Sequence, residues 1–135
     1  MSRILAVDFG EKRVGLATSD ASGSLATPRL TLRRGRDGAV LDALARFCRD
    51  EEIDLAVFGI PRSPEGVESP FASRIRSFAR KFEDQTGMPV AFHEETLTSY
   101  EAARRIGPGR GREALDSTAA AVLLEDFLRS TESRL

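Results

Sequence analysis

The sequence predicts an α/β protein with a five-stranded mixed sheet, in the strand order 3-2-1-4-5, flanked by helices. Three observations support this prediction. Three apolar runs of strand length precede the first helical pattern, and short turns join them. Apolar residues with helical spacing then alternate with two more strand-like runs. A meander followed by right-handed helical crossovers gives a mixed sheet, because each crossover returns the chain parallel to an earlier strand.

The first three strands are expected to form an antiparallel meander. Residues 3–9 predict a buried strand, residues 13–19 predict a second strand after the turn at Gly10, and residues 24–33 predict a third, more exposed strand. Pro28 favours an edge position for the third strand, because proline cannot donate a hydrogen bond to a neighbouring strand.

The remaining elements alternate between helix and strand. In chain order they are a helix over 37–51, a strand over 54–59, a helix from Phe71 to Phe82 closed by Gly87, a strand over 88–93, a helix over 99–106, a mobile basic loop over 107–113 and a last helix over 114–129. The fourth strand is apolar on both faces, which predicts the centre of the sheet. The C-terminal ends of strands one and four then face one crevice, where open α/β sheets bind ligands.

Length and composition indicate one domain over residues 1–135, with 41% hydrophobic and 30% charged residues. The net charge of −1 means that any nucleic-acid contact depends on local basic patches. One cysteine, Cys48, and one histidine, His93, exclude a disulfide framework and a Cys/His zinc cluster. No apolar run approaches the roughly 20 residues of a membrane helix, and the N-terminus lacks a signal-peptide pattern. We therefore expect a cytoplasmic protein without membrane contact.

Acidic residues occupy three positions that the predicted topology brings to one sheet edge. Asp8 ends the first buried strand, where an unpaired carboxylate costs several kcal/mol unless a cation lies against it. Glu94 and Glu95 leave the fifth strand, and only one of them can point into the crevice because side chains alternate along a strand. Asp116 lies in the first turn of the last helix, above its sheet-facing stripe of Ala120, Leu123 and Phe127.

Each acid alone has a structural interpretation as well: a turn cap, a solvated pair before a helix, or a partner of the helix dipole. Together they favour a catalytic site in which Asp8, one of the two glutamates and Asp116 bind two Mg²⁺ or Mn²⁺ ions roughly 4 Å apart. Like charges this close repel one another, so without metal we expect the site to be partly protonated or loosely ordered.

The chain resembles the YqgF/RuvX family of ribonuclease H-like nucleases over nearly its whole length. Four segments carry the resemblance: D-F-G-E-K-R-V-G-L-A over 8–17, Gly59 and Pro61 with Gly66 downstream, E-E-T-L-T-S over 94–99, and D-S-T-A-A over 116–120. The resemblance implies a ribonuclease H-like fold and metal-dependent phosphodiester hydrolysis. The implied substrates are structured RNA, such as the 5′ end of pre-16S rRNA, or branched DNA at a Holliday junction.

The family pattern also bears on single residues. It aligns the catalytic carboxylate with Glu95, while the residues alone leave Glu94 open. Thr96 stands where the family has an arginine, which removes a possible phosphate contact. Lys12 and Arg13 directly follow Asp8 and are interpreted as substrate-binding residues that hold a phosphate.

Other basic residues have less defined roles. Four arginines around the glycine-rich loop, Arg104, Arg105, Arg110 and Arg112, are candidates for tracking a nucleic-acid backbone. No role is assigned to the cluster of Arg33, Arg34 and Arg36. His93 is interpreted as a strand-end histidine with local hydrogen bonds. Symmetric cleavage of a junction would require a homodimer, since it needs two active sites.

Two other function classes compete with the nuclease. One is a non-catalytic RNA- or protein-binding module in translation or transcription, with a vestigial acid site. The other is a nucleotide-binding fragment of the actin or sugar-kinase type, whose Asp-Gly hairpin is similar. Such kinases close two domains around ATP, and 135 residues leave room for one.

Overall fold

The computed structural model describes residues 3–63, 66–95, 98–107 and 111–132. In chain order the elements are β1 (Ile4–Phe9), β2 (Arg13–Ser19), β3 (Ala26–Arg33), α1 (Asp37–Asp50), β4 (Leu55–Pro61), α2 (Pro70–Thr86), β5 (Val90–Glu95), α3 (Thr98–Ile106) and α4 (Arg112–Glu132). The strands form one five-stranded sheet in the order β3-β2-β1-β4-β5, which confirms the predicted topology.

The sheet is antiparallel on one side and parallel on the other. β2 pairs antiparallel with β1 and with β3, whereas β4 lies parallel to β1 and β5 lies parallel to β4. Pro28 lies in the edge strand, as predicted, beside a register shift between Leu16 and Ala17. The carboxyl ends of β1, β4 and β5 therefore share one edge of the sheet, and Asp8 and Glu95 both lie there.

Side chains alternate across β1 and divide the core into two layers. Leu5, Val7 and Phe9 pack in the cluster that includes the buried faces of α1 and α2. Ile4 and Ala6 pack in the cluster that contains α4. Asp8 follows the same alternation and therefore lies on the α4 side of the sheet.

Local chemistry fixes the ends of α2. The Ser69 hydroxyl accepts a hydrogen bond from the Ala72 amide, Pro70 occupies the first turn, and Gly87 ends the helix with φ 72°. These are the preferred residues at a helix start and at a left-handed helix end. The predicted end at Gly87 is confirmed.

Several predicted bounds are wrong by two or more residues. β3 begins at Ala26 rather than at residue 24, and β4 ends at Pro61 rather than at residue 59. β5 runs two residues later than expected, because Pro89 contributes only its carbonyl, which accepts from the Ala56 amide. α4 begins at Arg112, because the Leu115 amide already bonds the Gly111 carbonyl. The predicted loop over 107–113 therefore loses its last two residues to the helix, and 108–110 lie outside the described residues. In the described ranges, no helix combines the length and apolar character needed to cross a membrane.

Candidate active site

Asp8 and Glu95 form a carboxyl pair at the shared sheet edge. Their side chains are hydrogen bonded to each other, and burial, the charge of Glu95 and this bond raise the pKa of Asp8 well above its ordinary value of 3.8. The charge of Asp116 raises it further. A hydrogen bond between two carboxyl groups requires a proton on one of them. The raised pKa of Asp8 favours its protonated form, which is the form that can donate to Glu95.

Gly59 makes room for Glu95 beside Asp8. A Cβ at Gly59 would lie 2.6 Å from Cδ and Oε1 of Glu95. Gly59 follows Phe58, which pairs with Val7, so it lies on β4 at the level of Asp8 on β1. The missing side chain lets the glutamate reach across β4, and its Oε1 is shielded from solvent there.

Gly15 has the corresponding role for Asp116. It pairs with Asp8 across β1 and β2, so both lie on the α4 side of the sheet. A Cβ at Gly15 would lie 2.1 Å from the carbonyl oxygen of Asp116 and 3.0 Å from the amide of Ser117. The first turn of α4 therefore touches the strand backbone, which is possible only over a glycine. This contact brings Asp116 to Asp8.

Arg13 holds the side chain of Asp116. Its Nε donates to Oδ2 at 2.7 Å, and each of the two side chains is 23% exposed. The residue predicted to bind a phosphate therefore binds a carboxylate of the site in this structure. Lys12, the other predicted phosphate ligand, is exposed beyond the end of β1.

Glu94 lies away from the other acids. It is exposed, and it forms an ion pair with Arg62 at 3.3 Å. Strand alternation directs it to the opposite side of the sheet from Glu95. The structure thus pairs Asp8 with Glu95, places Asp116 near enough for its charge to act on Asp8, and places Glu94 elsewhere.

The donor chemistry of the three acids fits a divalent cation. All three offer hard carboxylate oxygens, which suit Mg²⁺ and Mn²⁺, and a nearby cation offsets the repulsion between buried carboxylates. Within the described residues, no group of three or more His, Cys, Asp or Glu side chains lies close enough to hold a metal ion. The third carboxylate, that of Asp116, is ion paired with Arg13.

Arg34 supports the hairpin after Asp8, a contribution that sequence reasoning missed. Its side chain is 6% exposed and forms an ion pair with Asp37 at 3.2 Å. The guanidinium lies 4.4 Å from the Phe9 ring centre and donates to the carbonyls of Gly10 and Glu11 at 3.4 Å. Nothing in the sequence distinguishes it from the two other arginines of its cluster.

His93 contacts α4, not its own neighbourhood in the chain, so the interpretation of local hydrogen bonds is wrong. Its Nε2 lies 2.5 Å from Oδ2 of Asp126, and its ring meets Phe127 edge-on. This hydrogen bond is the main cause that lowers the pKa of Asp126. Of the arginines proposed to track a backbone, Arg105 forms an ion pair with Glu125 at 2.6 Å, and Arg110 lies outside the described residues.

The fold is shared with Holliday junction resolvases. Thermus thermophilus RuvC bound to a Holliday junction aligns with a TM-score of 0.64 at 9% identity, covering 98% of this chain and 97% of that one. The fowlpox virus resolvase, also bound to junction DNA, aligns with a TM-score of 0.58 at 15% identity, covering 96% and 98%. The fold is thus that of the ribonuclease H-like nucleases, as the resemblance implied.

Sequence comparison identifies the family within this class. The family model described as "RuvX: Holliday junction resolvase" matches residues 2–130. A relative from Anaeromyxobacter sp. (strain K) is 37% identical over 131 residues, covering 93% of this chain and 96% of the relative. One from Roseiflexus sp. (strain RS-1) is 32% identical over 133 residues, covering 95% and 94%. Both are named "Putative pre-16S rRNA nuclease". The chain belongs to the RuvX family of nucleases.

Proposed function

We propose that this chain is a Mg²⁺- or Mn²⁺-dependent nuclease of the cytoplasm that cleaves the precursor of 16S rRNA. The observation that carries the proposal is the buried, hydrogen-bonded carboxyl pair of Asp8 and Glu95, with the charge of Asp116 acting on it. The names of the relatives, which match over nearly their whole length, favour precursor rRNA as the substrate. Family membership favours the enzyme over the non-catalytic module and over the kinase fragment.

Asp8, Glu95 and Asp116 are the residues that would hold the ions. When bound, divalent cations supply an activated water and stabilise the leaving oxygen. Gly59 and Gly15 fix where two of these carboxylates lie.

Two basic side chains beside the acids, Arg13 and Lys12, orient the substrate. Arg13 holds the Asp116 carboxylate through Nε, while its terminal nitrogens are the donors suited to a phosphate oxygen. Lys12, exposed on the hairpin, adds a positive charge on the path of the backbone.

Branched DNA is the second candidate substrate. The description of the family model and the fold shared with junction-bound resolvases favour it. Symmetric cleavage of a junction needs two active sites, so this candidate also requires a homodimer. We include a junction in the test so that one experiment separates the two substrates.

The test compares cleavage of a 5′-extended 16S rRNA fragment and of a four-way DNA junction, each with Mg²⁺, Mn²⁺ or EDTA. We expect metal-dependent cleavage of the RNA by the wild type and a loss of roughly 10³-fold in Asp8→Asn and Glu95→Gln. Glu94→Gln is the matched control, because it removes the same charge from the neighbouring position outside the site. It should retain activity within about threefold of the wild type.

Three outcomes would count against the proposal. Equal losses in Glu94→Gln and Glu95→Gln would disprove the assignment of the carboxylate. Cleavage of the junction alone would establish the second substrate. Tight RNA binding without cleavage under either metal, by a protein that melts cooperatively, would establish the non-catalytic module.

A further inference from the structure

A second polar cleft lies on the other side of the sheet from the acids. It has a volume of about 270 Å³ between the first turns of α1 and the N-terminal half of α2. Its polar lining consists of three cations, two hydroxyl groups and one carboxylate: Arg34, Arg74, Lys81, Ser73, Ser77 and Asp37. The cleft is therefore rich in donors of the kind that bind anions.

Two of the three cations in the cleft are not neutralised. Arg34 is paired with Asp37 at 3.2 Å. No carboxylate of the described residues lies within ion-pair distance of Arg74 or Lys81; the Arg74 guanidinium lies over the Phe71 ring at 5.8 Å. In a chain whose net charge is −1, this is a local concentration of positive charge.

Helical spacing directs these donors to one face. Arg74, Ser77 and Lys81 are three and four residues apart, so they follow one another along the same side of α2. Both charged side chains are exposed, which leaves them accessible to a large ligand. The structure therefore presents a short row of donors rather than scattered surface charges.

Arg34 connects the cleft to the acid site. It lines the cleft and at the same time donates to the carbonyls of Gly10 and Glu11, in the hairpin that follows Asp8. α1 and α2 also begin at the sheet edge where β1 and β4 end. Arg34 therefore lies between the cleft and the hairpin that follows Asp8.

We propose that this cleft binds a backbone phosphate of the nucleic-acid substrate, at a distance from the phosphate that is cleaved. The inference rests on the proposed action on nucleic acid and extends its binding surface to a second face. The Arg74 guanidinium suits two oxygens of a phosphodiester, Lys81 adds a point charge, and the serine hydroxyls donate hydrogen bonds. Contacts of this type position a substrate without reading its sequence.

The test measures affinity in EDTA, so that it does not depend on cleavage. The probes are a fluorescein-labelled 5′-extended 16S rRNA fragment and a labelled four-way junction, followed by anisotropy at several salt concentrations. We expect R74Q/K81Q to bind the substrate about tenfold more weakly than the wild type, with a salt slope smaller by about one to two. R74K/K81R, which preserves both charges, should bind within about threefold of the wild type.

The matched control is R46Q/R49Q, which removes two exposed positive charges from the far half of α1. It should retain the affinity and the salt slope of the wild type. Equal losses in both double variants would show a general charge effect and overturn the proposal, as would unchanged binding in R74Q/K81Q. If R74Q/K81Q does not melt cooperatively, Lys81→Gln alone should show about half of the change in slope, and no change there would overturn the proposal.

Two further outcomes separate related explanations. Calorimetry with inorganic phosphate tests the free anion: saturable binding without any effect of R74Q/K81Q on RNA or junction affinity would assign the cleft to the free anion and overturn the proposal. If the wild type cleaves neither substrate but R74Q/K81Q still weakens binding, the nuclease proposal fails while the cleft stands.

Discussion

The two faces of the sheet differ in the size of the side chains that cover them. The face toward α1 and α2 is filled with large residues, including a chain of ring contacts through Phe9, Phe78, Phe58, Phe82 and Phe92. Half of the buried cluster toward α4 consists of alanines, namely Ala6, Ala17, Ala120 and Ala121. The first face buries more apolar surface per residue, so we expect it to supply more of the stability.

Small residues on the second face serve a different purpose. They let a helix approach the sheet closely, and at Gly15 the backbone of α4 touches β2. Side chains of ordinary size would hold the helix away and separate Asp116 from Asp8. The carboxylates gathered there repel one another, which lowers stability. The α4 face thus contributes less to stability, but its small residues allow the helix to approach closely enough to place Asp116 near Asp8.

The largest expected effect on stability comes from the α1–α2 face. Phe58 is fully buried and contacts three other rings. Phe58→Ala should lower the free energy of unfolding by about 3–5 kcal/mol, through lost burial and the cavity left behind. Urea denaturation measures this change. Cleavage per folded molecule at low temperature should be nearly unchanged, and a loss below about 1 kcal/mol would contradict the division between the faces.

A smaller loss of stability, coupled to a loss of activity, is expected at Gly15. Its added Cβ would meet the Asp116 carbonyl at 2.1 Å, and because that atom is backbone, α4 must move. Gly15→Ala should cost about 1–3 kcal/mol and strongly reduce cleavage. The control is Gly38→Ala in α1, where nothing lies within 4 Å of the new Cβ. It should leave activity unchanged and stability equal or up to about 1 kcal/mol higher. Retained activity in Gly15→Ala would refute the role of the close approach.

Local periodicity was sufficient to predict most of the fold. Strand order, the edge position of Pro28 and the sheet-facing stripe of Ala120, Leu123 and Phe127 all follow from apolar spacing or from the chemistry of proline. The position of Pro28 and the helix stripe depend on residues within one element, whereas strand order follows from the succession of elements and right-handed crossovers. The boundary errors at β5 and α4 arise where hydrogen bonds from outside the element decide its end.

The site was less predictable because its geometry depends on contacts between distant residues. Periodicity alone could not decide whether Glu94 or Glu95 lies beside Asp8. The answer depends on the register of β5 and on the space that the missing side chain of Gly59 leaves for Glu95. The partner of Arg13 lies 103 residues away in sequence. No local sequence pattern identified Arg34 as a supporting residue, because its contacts form only when the folded chain brings the hairpin after β1 next to the start of α1.

The smallest expected change in stability is a gain from Asp8→Asn, and its pH dependence tests the origin of that gain. Below the ordinary value of 3.8, Asp8 is protonated in both the folded and the unfolded chain, so the two proteins should be equally stable. As the pH rises above 3.8, the unfolded carboxyl ionises while the raised pKa keeps the folded one protonated, which stabilises the unfolded wild type. Asparagine does not ionise and can still donate a hydrogen bond to Glu95.

The advantage of Asp8→Asn in the free energy of unfolding should therefore grow with pH in EDTA and level off above the folded pKa. Urea denaturation at several pH values measures it, and an advantage that does not change with pH would refute the carboxyl pair as its cause. Adding Mn²⁺ at neutral pH sharpens the comparison. A ligand that binds only the folded state raises the melting temperature, so the wild type should gain stability and Asp8→Asn should gain much less. Mn²⁺ would then make the wild type the more stable of the two proteins. The reason is that the Asp8 carboxylate, which destabilises the folded chain in EDTA, is also a ligand of the metal ion.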